Sequence, residues 1–332
     1  MSQFDVYGLG NALVDMEYSV TPADLESMGI DKGVMTLVDV DHQSELMVYL
    51  SEHHVHRSAG GSAANTVIAL SQLGGRGFYS CKIGDDELGR LYDTDLRANG
   101  VQTNAHEQSE DGHTGRCLVL VTPDADRTMC TYLGITGGLS RAEIVPDALA
   151  ASAFLYVEGY LATSPTARDA VAHARALARD AGVATALSLS DPNIVEHFGD
   201  GLREMIGAGV DVLFANEAEA LGLTGSETID DAVAGLARLA DRFVITRGPR
   251  GALVHDRGEI TEIAARRVDP VDTNGAGDMF AGAFLYGITR GWTAPEAAEL
   301  ATRASARLIT AYGARLDAAT TRGLLEEHSA AQ

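Results

Sequence analysis

The sequence predicts an α/β fold, in which helices cover a mostly parallel sheet and a small β lid is attached. From about residue 141 onward, short apolar strands such as "AFLYVEG", "VDVLFAN" and "RFVITRG" alternate with helical stretches, which is the pattern of βαβ units. Two other segments carry strand patterns without a helical stretch between them. The chain has 332 residues and no Pro/Gly/Ser-rich linker, so we expect no independent domains.

The first strand is predicted in "FDVYGLG", which is short, apolar and ends in glycines. The "GLGNAL" that follows could be taken for a dinucleotide-binding loop of an NAD-dependent dehydrogenase. That fingerprint needs a third glycine near position 13, where this chain has Leu13. The dehydrogenase interpretation is therefore weak.

The lid is predicted from "KGVMTLVDV" (32–40) and from "TGRCLVLVTPDADRTMCTYLG" (114–134), whose Pro-Asp-Ala-Asp turn indicates a hairpin. We expect a discontinuous lid made of residues 16–50 and 104–138. The α/β core then comprises residues 1–15, 51–103 and 139–332.

A glycine-led helix is predicted in "RSAGGSAANTVIALSQLGG" (57–75). Gly60 and Gly61 precede Ser62, which is a plausible N-cap, and the apolar residues that follow have helical spacing. Asn65 lies near the open end, where its amide could bind a substrate hydroxyl. Alternatively, Asn65 is an exposed helix residue without a function.

A second glycine-led helix begins in "VDTNGAGDMFAGAFLYG" (271–287). Gly275, Ala276 and Gly277 leave the backbone nearly bare, and the free N–H groups of a helix N-terminus attract anions. Asp278 falls in the first turn, beside this predicted anion site. The alternative is that Asp272 or Thr273 caps the helix and Asp278 only complements its dipole.

Composition limits the classes of partner. The chain carries 25 basic and 47 acidic residues, for a net charge of -22, which argues against nucleic-acid and anionic-membrane surfaces. Three cysteines without a CxxC pair predict reduced, apolar residues. His53, His54 and His56 lie in a polar connector without a second ligand cluster, so we expect no metal site there. Neither a signal peptide nor a membrane span is indicated, and a cytoplasmic location is expected.

The two glycine-led motifs, "GGSAANTVIALSQLGG" and "DTNGAGDMFAGAFL", resemble the signature motifs of the PfkB/ribokinase family of carbohydrate and nucleoside kinases. They occur in the family's order and some 200 residues apart. The resemblance covers nearly the whole chain. It implies a ribokinase-like three-layer sandwich with a β lid, and an ATP-dependent kinase with an alcohol group as acceptor.

The resemblance implies roles for the second motif. Asp278 would be the catalytic base that takes the proton of the attacking hydroxyl. Gly275, Ala276 and Gly277 would form the anion hole that stabilises the transferred phosphoryl group. Arg127, in "DADRTMC" of the lid, resembles the family's lid arginine that reaches the phosphates upon closure. Considered alone, Arg127 could equally be a solvated turn residue.

The resemblance also implies an ATP site. "LFANEAEALG" matches the family's N-x-x-E motif with Asn216 and Glu219, which implies Mg²⁺ and phosphate placement, largely through water. The same two residues also fit a helix cap and its capping box. "VITRGPRGALV" (244–254) resembles the ATP-side loop and would place Thr246, Gly248 and Gly251 along the nucleotide. Its alternative is a tight turn between strands. A monovalent cation is left open.

The acceptor site is expected around Asp15, since a carboxylate can accept two hydrogen bonds from a vicinal diol. Asn11, Gly60, Gly61 and Asn65 complete this predicted site. "GNALVD", "DTNGAGD" and "FLYVEGYLATSP" look closer to adenosine kinases than to ribokinases or fructokinases.

Adenosine kinases usually have a Ser-Ala-Pro-Phe stretch near the base, whereas this chain reads "LSDPNIVEHF" (189–198), with polar Asp191 and Asn193. The other resemblances favour phosphorylation of the primary hydroxyl of a ribonucleoside, adenosine above all, and the departure at 189–198 leaves another ribonucleoside or a sugar kinase open. A non-catalytic nucleoside-binding sensor is a further alternative. The expected partners are ATP and a small nucleoside or sugar, with no nucleic acid or membrane, and the protein is a monomer or a homodimer that pairs through the lid.

Overall fold

A computed structural model describes residues 2–124 and 126–329 of the chain. Within these residues the strands are β1 (Phe4–Leu9), β2 (Leu13–Ser19), β3 (Met35–Leu37), β4 (Val55–Gly60), β5 (Gly77–Ser80), β6 (Val101–Thr103), β7 (Gly115–Val121), β8 (Arg127–Tyr132), β9 (Ser152–Glu158), β10 (Ala184–Ser188), β11 (Val210–Asn216), β12 (Ala240–Thr246), β13 (Ala252–Asp256) and β14 (Glu259–Ile263). The helices are α1 (Pro22–Met28), α2 (Val40–Tyr49), α3 (Ser62–Gln72), α4 (Glu87–Ala98), α5 (Pro146–Ala150), α6 (Pro165–Ala181), α7 (Pro192–Ile206), α8 (Glu217–Thr224), α9 (Ile229–Leu236), α10 (Ala276–Thr289), α11 (Ala294–Leu308) and α12 (Ala318–Ser329).

Nine strands form the large sheet, in the order β14-β13-β12-β11-β10-β9-β1-β5-β6. The pairs from β12 to β6 are parallel, and β13 and β14 add an antiparallel hairpin at one edge. The predicted mostly parallel α/β sheet is thus confirmed. Its carboxyl ends lie together at one edge, which is where open α/β sheets bind ligands.

Helices cover both faces of this sheet, because successive strand side chains point to opposite faces. On one face, Val6, Tyr156 and Val244 pack with α3, α10 and α11. On the other face, Tyr7, Leu155 and Ile245 pack with α6, α7, α8 and α9. The two buried layers hold the carboxyl ends of the strands in fixed positions.

A second, five-stranded sheet has the order β3-β8-β7-β2-β4. The antiparallel pair β7 and β8 is the predicted hairpin. Three features differ from the predicted lid segments. The strand β4 and the first residues of β2 belong to this sheet, although they fall in the segments assigned to the core. They belong there because β2 pairs with β4 directly, with Val14 opposite Ala59. In addition, the helices α1 and α2 lie within residues 16–50. The division of the chain into core and lid stays a prediction.

Two expectations from composition can be compared with the described residues. Cys81, Cys117 and Cys130 are free and buried, as predicted. No helix in this part of the chain is long and apolar enough to cross a bilayer.

Candidate active site

The GAG turn begins α10 at the edge of the large sheet. Gly275 occupies the N-cap position with φ of 73°, a left-handed conformation that favours glycine, and no side chain caps the helix. A Cβ at Gly275 would lie 2.3 Å from the carbonyl oxygen of Ala314, whereas one at Gly277 would meet open space. The helix start is therefore uncapped and open at Gly277, as an anion site requires.

Asp272 does not cap this helix, contrary to the alternative considered from the sequence. Its Oδ1 accepts a hydrogen bond from the Asn274 amide at 3.0 Å, and its Oδ2 accepts one from the Gly313 amide at 2.7 Å. The carboxylate is buried. Asp272 thereby ties the approach to the GAG turn to the loop after α11.

Asp278 lies in the first turn of α10 and faces the start of α3. The Ser62 hydroxyl donates to its Oδ1 at 2.6 Å, and the Asn65 side-chain amide donates to its Oδ2 at 3.0 Å. Burial raises the pKa of Asp278 to about 6, and the two hydrogen bonds oppose that rise. A carboxylate with this pKa is ionised near neutral pH and can accept a proton.

These contacts correct the expectation for Ser62 and exclude one alternative for Asn65. Ser62 is the first residue of α3 rather than its N-cap, which is Gly61, and the Ser62 hydroxyl is used by Asp278 instead of the helix end. Asn65 is buried rather than exposed, and its Oδ1 is buried without a hydrogen-bond partner. A buried acceptor without a donor is a suitable partner for a ligand hydroxyl.

Asp15 lies on β2 against the end of β4. A Cβ at Gly60 would lie 2.4 Å from its Oδ2, so only glycine leaves room for the carboxylate. Burial raises the pKa of Asp15 to about 7; Arg315 and Arg127 oppose the rise, and Asp278 and Glu17 add to it. The structure thus brings Asp15 and Asp278 close enough to influence each other electrostatically.

Glu158 is a residue of this site that sequence reasoning missed. It is the last residue of β9 and is buried. Its Oε1 accepts hydrogen bonds from the Asn11 backbone amide and from Asn11 Nδ2, both at 2.8 Å. Its Oε2 accepts a hydrogen bond from the Ala63 backbone amide at 2.7 Å. Burial raises the pKa of Glu158 to about 7, while these hydrogen bonds lower it. Glu158 holds the loop after β1 and the start of α3 together. The charged residue at the end of the otherwise apolar "AFLYVEG" was the available signal.

A cavity of about 400 Å³ brings the predicted acceptor residues together. Its polar lining includes Asn11, Asp15, Asn65, Glu158 and Asp278, with the backbone of Gly61 beside them. Apart from Asp15, the second sheet contributes mainly apolar side chains, namely Leu13, Met35, Leu37, Val119 and Met129, and Leu133 follows its last strand. Gly60 contributes by leaving space for Asp15 and is not part of the cavity wall.

A second cavity, of about 860 Å³, adjoins the first at the GAG turn. Thr246, Gly248 and Gly251 from the β12–β13 turn line it, together with the segment from Ala265 to Pro270 and residues of α11. The tight turn between strands is confirmed: Gly248 and Gly251 have φ of 54° and 87°. The two cavities share Thr246, Thr273, Ala276, Gly277 and Phe280 as lining residues.

Asn216 and Glu219 form a capping box at the start of α8, as one alternative predicted. Glu219 Oε2 accepts from the Asn216 amide at 2.8 Å and Oε1 accepts from Asn216 Nδ2 at 2.6 Å. Both residues also line the first cavity. Burial raises the pKa of Glu219 to about 7, against the Asn216 hydrogen bond, and Asp191 adds to the rise.

The Glu219 contacts limit how Mg²⁺ could be held. Each carboxylate oxygen accepts one hydrogen bond within the capping box and keeps a lone pair, which could accept a hydrogen bond from a metal-bound water. In the described ranges 2–124 and 126–329, no group of three or more His, Cys, Asp or Glu side chains could hold a metal ion. This arrangement fits Mg²⁺ held mainly by phosphate and water.

Arg127 is not a solvated turn residue. It is the first residue of β8, and only 12% of its side chain is exposed. Its Nη2 lies 2.7 Å from Asp272 Oδ2 and its Nη1 lies 3.5 Å from Glu17 Oε2. The structure therefore places Arg127 beside the approach to the GAG turn.

The polar stretch after β10 lies at the rim of the first cavity. Asp191 lines that cavity and caps α7, where it accepts from the Asn193 amide at 2.7 Å. The Asn193 side-chain amide donates to Asp191 at 2.9 Å and is occupied by this contact. Ser190 has φ of 71°, and its hydroxyl accepts from the Gly159 amide at 2.8 Å.

The sequence and fold are similar to known proteins. The sequence matches the family described as pfkB family carbohydrate kinase over residues 24–321. Fructokinase-1 of Oryza sativa subsp. japonica is 30% identical over 244 residues, covering 70% of this chain and 75% of that protein. The adenosine kinase of Dictyostelium discoideum is 28% identical over 340 residues, covering 96% of this chain and 98% of that protein. The solved structure of adenosine kinase from Sinorhizobium meliloti is 35% identical and superimposes with a TM-score of 0.89, covering 98% of this chain and 99% of that chain.

Proposed function

We propose that this chain, which belongs to the pfkB carbohydrate kinase family and is an ATP-dependent kinase, phosphorylates the primary hydroxyl of a ribonucleoside, adenosine above all. One observation carries the proposal. Two cavities meet at Ala276 and Gly277, and Asp278 lines only the cavity that also contains Asp15 and Asn65. A donor and an acceptor can therefore approach the same bare turn from two cavities.

In the proposed reaction, the acceptor hydroxyl oxygen forms a bond to the γ-phosphorus of ATP as the bond from that phosphorus to the β,γ-bridging oxygen breaks. ADP leaves, and the hydroxyl proton passes to Asp278. The backbone N–H groups of Gly275 to Gly277 stabilise the charge on the phosphoryl oxygens. Because Ser62 and Asn65 hold both oxygens of Asp278, its carboxylate has a fixed orientation toward the acceptor.

The lining of the first cavity supports a ribonucleoside rather than a free sugar. Asp15 and the unpartnered Oδ1 of Asn65 offer acceptors for ribose hydroxyls. Apart from Asp15, the part of the cavity wall that β2, β3, β7 and β8 form offers mainly apolar side chains, and a polyhydroxylated sugar would lack hydrogen-bond partners there. A nucleobase has an apolar face that can cover this wall.

A sugar kinase is the second candidate function. The similarity to Fructokinase-1 over 244 residues favours it, as does the polar rim formed by Asp191. The alternatives of an NAD-dependent dehydrogenase and of a non-catalytic sensor are not supported, because family membership makes the chain an ATP-dependent kinase.

The proposed donor site is the larger cavity. Thr246, Gly248 and Gly251 leave its wall open along the β12–β13 turn, and its volume of about 860 Å³ is sufficient for a nucleoside moiety. Asn216 and Glu219 would position Mg²⁺ through water, and the ion would neutralise charge on the phosphates. Arg127 would contribute a further positive charge. A monovalent cation requirement and dimerisation through the second sheet stay predictions.

The test is an assay of ADP release over a panel of adenosine, inosine, guanosine, uridine, ribose and fructose, with Asp278→Asn as the matched variant. We expect adenosine to give the highest kcat/KM. Asp278→Asn should lower kcat by about 10²- to 10⁴-fold, while binding of ATP, measured by calorimetry, should persist. Preference for fructose or ribose would replace the nucleoside by a sugar as acceptor. Unimpaired turnover by Asp278→Asn would refute the assignment of the base.

A further inference from the structure

Glu17 and Arg127 lie on the face of the second sheet that lines the first cavity. Side chains alternate along a strand, so Glu17 shares the face of Leu13 and Asp15 on β2, and Arg127 shares the face of Met129 on β8. Leu13, Asp15 and Met129 line the cavity. No role follows for Glu17 from the motifs in the sequence.

Two carboxylates hold the Arg127 guanidinium. Nη1 lies 3.5 Å from Glu17 Oε2, and Nη2 lies 2.7 Å from Asp272 Oδ2. The side chains of Glu17 and Asp272 are 32% and 4% exposed. Nη2 is buried, yet its N–H groups are not aligned for a hydrogen bond to any partner in the described residues. Charge attraction therefore holds Arg127, and the N–H groups of Nη2 remain available to donate hydrogen bonds to a ligand.

The position of this ion cluster relates it to the phosphate site. Asp272 immediately precedes Thr273, which lines both cavities, and its Oδ1 accepts from the Asn274 amide on the approach to the GAG turn. Arg127 thus lies beside the approach to the GAG turn, and two acidic side chains neutralise its charge. In the proposed function, ATP brings several negative charges and acceptor oxygens to this turn.

We propose that Glu17 and Asp272 are positioning residues that hold Arg127 beside the anion hole and compete with the ATP phosphates for it. This inference rests on the proposed function of Arg127 as a phosphate-binding residue. When ATP binds, the guanidinium exchanges its poorly aligned carboxylate contacts for hydrogen bonds to phosphate oxygens. The affinity for ATP is therefore lower than Arg127 alone would give.

Glu17 and Asp272 differ in their other contacts, and this difference makes Glu17 the better residue to change. Asp272 also accepts from the amides of Asn274 and Gly313, so its removal would disturb the GAG turn and lower kcat. Glu17 is one-third exposed, and its contact with Arg127 is an ion pair without a hydrogen bond. A Glu17→Gln change keeps the shape of the side chain and removes the competing charge.

The experiment measures binding of the non-hydrolysable ATP analogue AMP-PNP with Mg²⁺ by calorimetry, at pH 8, where Asp15 is ionised. We expect Glu17→Gln to bind the analogue more tightly than the wild type, by up to about fivefold, as expected for a partly exposed ion pair. Arg127→Gln should bind about tenfold or more weakly. In the Arg127→Gln background, Glu17→Gln should have no further effect. Glu45→Gln, which removes an exposed charge of α2, is the matched control and should bind like the wild type.

Each outcome decides between the inference and the proposed function. Unchanged or weaker binding by Glu17→Gln overturns the inference, and Glu17→Ala must shift affinity in the same direction as Glu17→Gln. Equal strengthening in the presence and absence of Arg127 also overturns it, because the effect would then come from net charge alone. A wild type that does not bind AMP-PNP overturns the ATP site itself.

Discussion

Replacing Glu158 by glutamine is expected to weaken acceptor binding and stability together. The carboxylate is buried and accepts three hydrogen bonds, two from Asn11 and one from the Ala63 amide. Glutamine has one acceptor oxygen, which can keep both Asn11 contacts, while its NH₂ group faces the Ala63 N–H. The Ala63 N–H and the new NH₂ group then both lack an acceptor, and each buried donor without a partner costs about 1–3 kcal/mol of the free energy of unfolding.

The same change should raise the KM for the acceptor. Asn11 lines the first cavity, and the start of α3 positions Ser62 and Asn65, which also line it. A displacement of these groups would reduce binding by about tenfold, equivalent to roughly 1.4 kcal/mol. Urea unfolding measures the stability, and steady-state kinetics with varied acceptor measure KM.

Glu143→Gln is the matched control. Glu143 is also buried, but it pairs with Lys82 at 2.9 Å and caps a short helical turn at Ser140, and it does not line the first cavity. We expect Glu143→Gln to lose stability without a change in KM. If Glu158→Gln raised KM no more than Glu143→Gln does, the positioning role of Glu158 would be refuted.

Three further predictions concern the acceptor carboxylate, the effect of pH on activity and the effect of pH on stability. Asp15→Asn should raise the adenosine KM by about tenfold or more, since a charged hydrogen bond contributes about 1.5–3 kcal/mol. It should also reduce the preference for adenosine over 2′-deoxyadenosine in kcat/KM. An unchanged preference would argue against recognition of the ribose diol by Asp15. With pKa values raised to about 6 for Asp278 and about 7 for Asp15, kcat/KM should rise with pH and level off above pH 8, as a pH–rate profile would show. Asp278 and Asp15, together with Glu158 and Glu219, have pKa values in the folded protein above their ordinary ones. The stability that their protonated forms contribute is therefore fully present below about pH 4. It is lost as the pH rises through about 7. Urea titrations at several pH values should show this loss, and a gain in the free energy of unfolding between pH 5 and 8 would contradict it.

The parts of the fold with regular periodicity could be predicted from the sequence. The strands ending at Glu158, Asn216 and Thr246 are apolar runs bounded by turn residues, and the structure has them in one parallel sheet. The bounds of the second sheet could not be predicted, because β4 carries the irregular sequence "VHRSAG" and owes its conformation to pairing with β2.

The site was predictable where a local sequence pattern determines geometry. The bare GAG turn and the Asn216–Glu219 capping box are such cases. Glu158 was missed because its partners, Asn11 and Ala63, are 147 and 95 residues away. The Arg127 contacts with Glu17 and Asp272 likewise join distant parts of the chain, and no local pattern reveals them.

In the proposed reaction, the GAG turn receives the γ-phosphate while Asp278 faces the acceptor hydroxyl. A crystal structure with AMP-PNP, Mg²⁺ and adenosine would show both contacts. We expect a γ-phosphate within hydrogen-bond distance of backbone N–H groups of Gly275 to Gly277, and the ribose primary hydroxyl within hydrogen-bond distance of Asp278. A γ-phosphate bound away from this turn would refute the proposed reaction geometry.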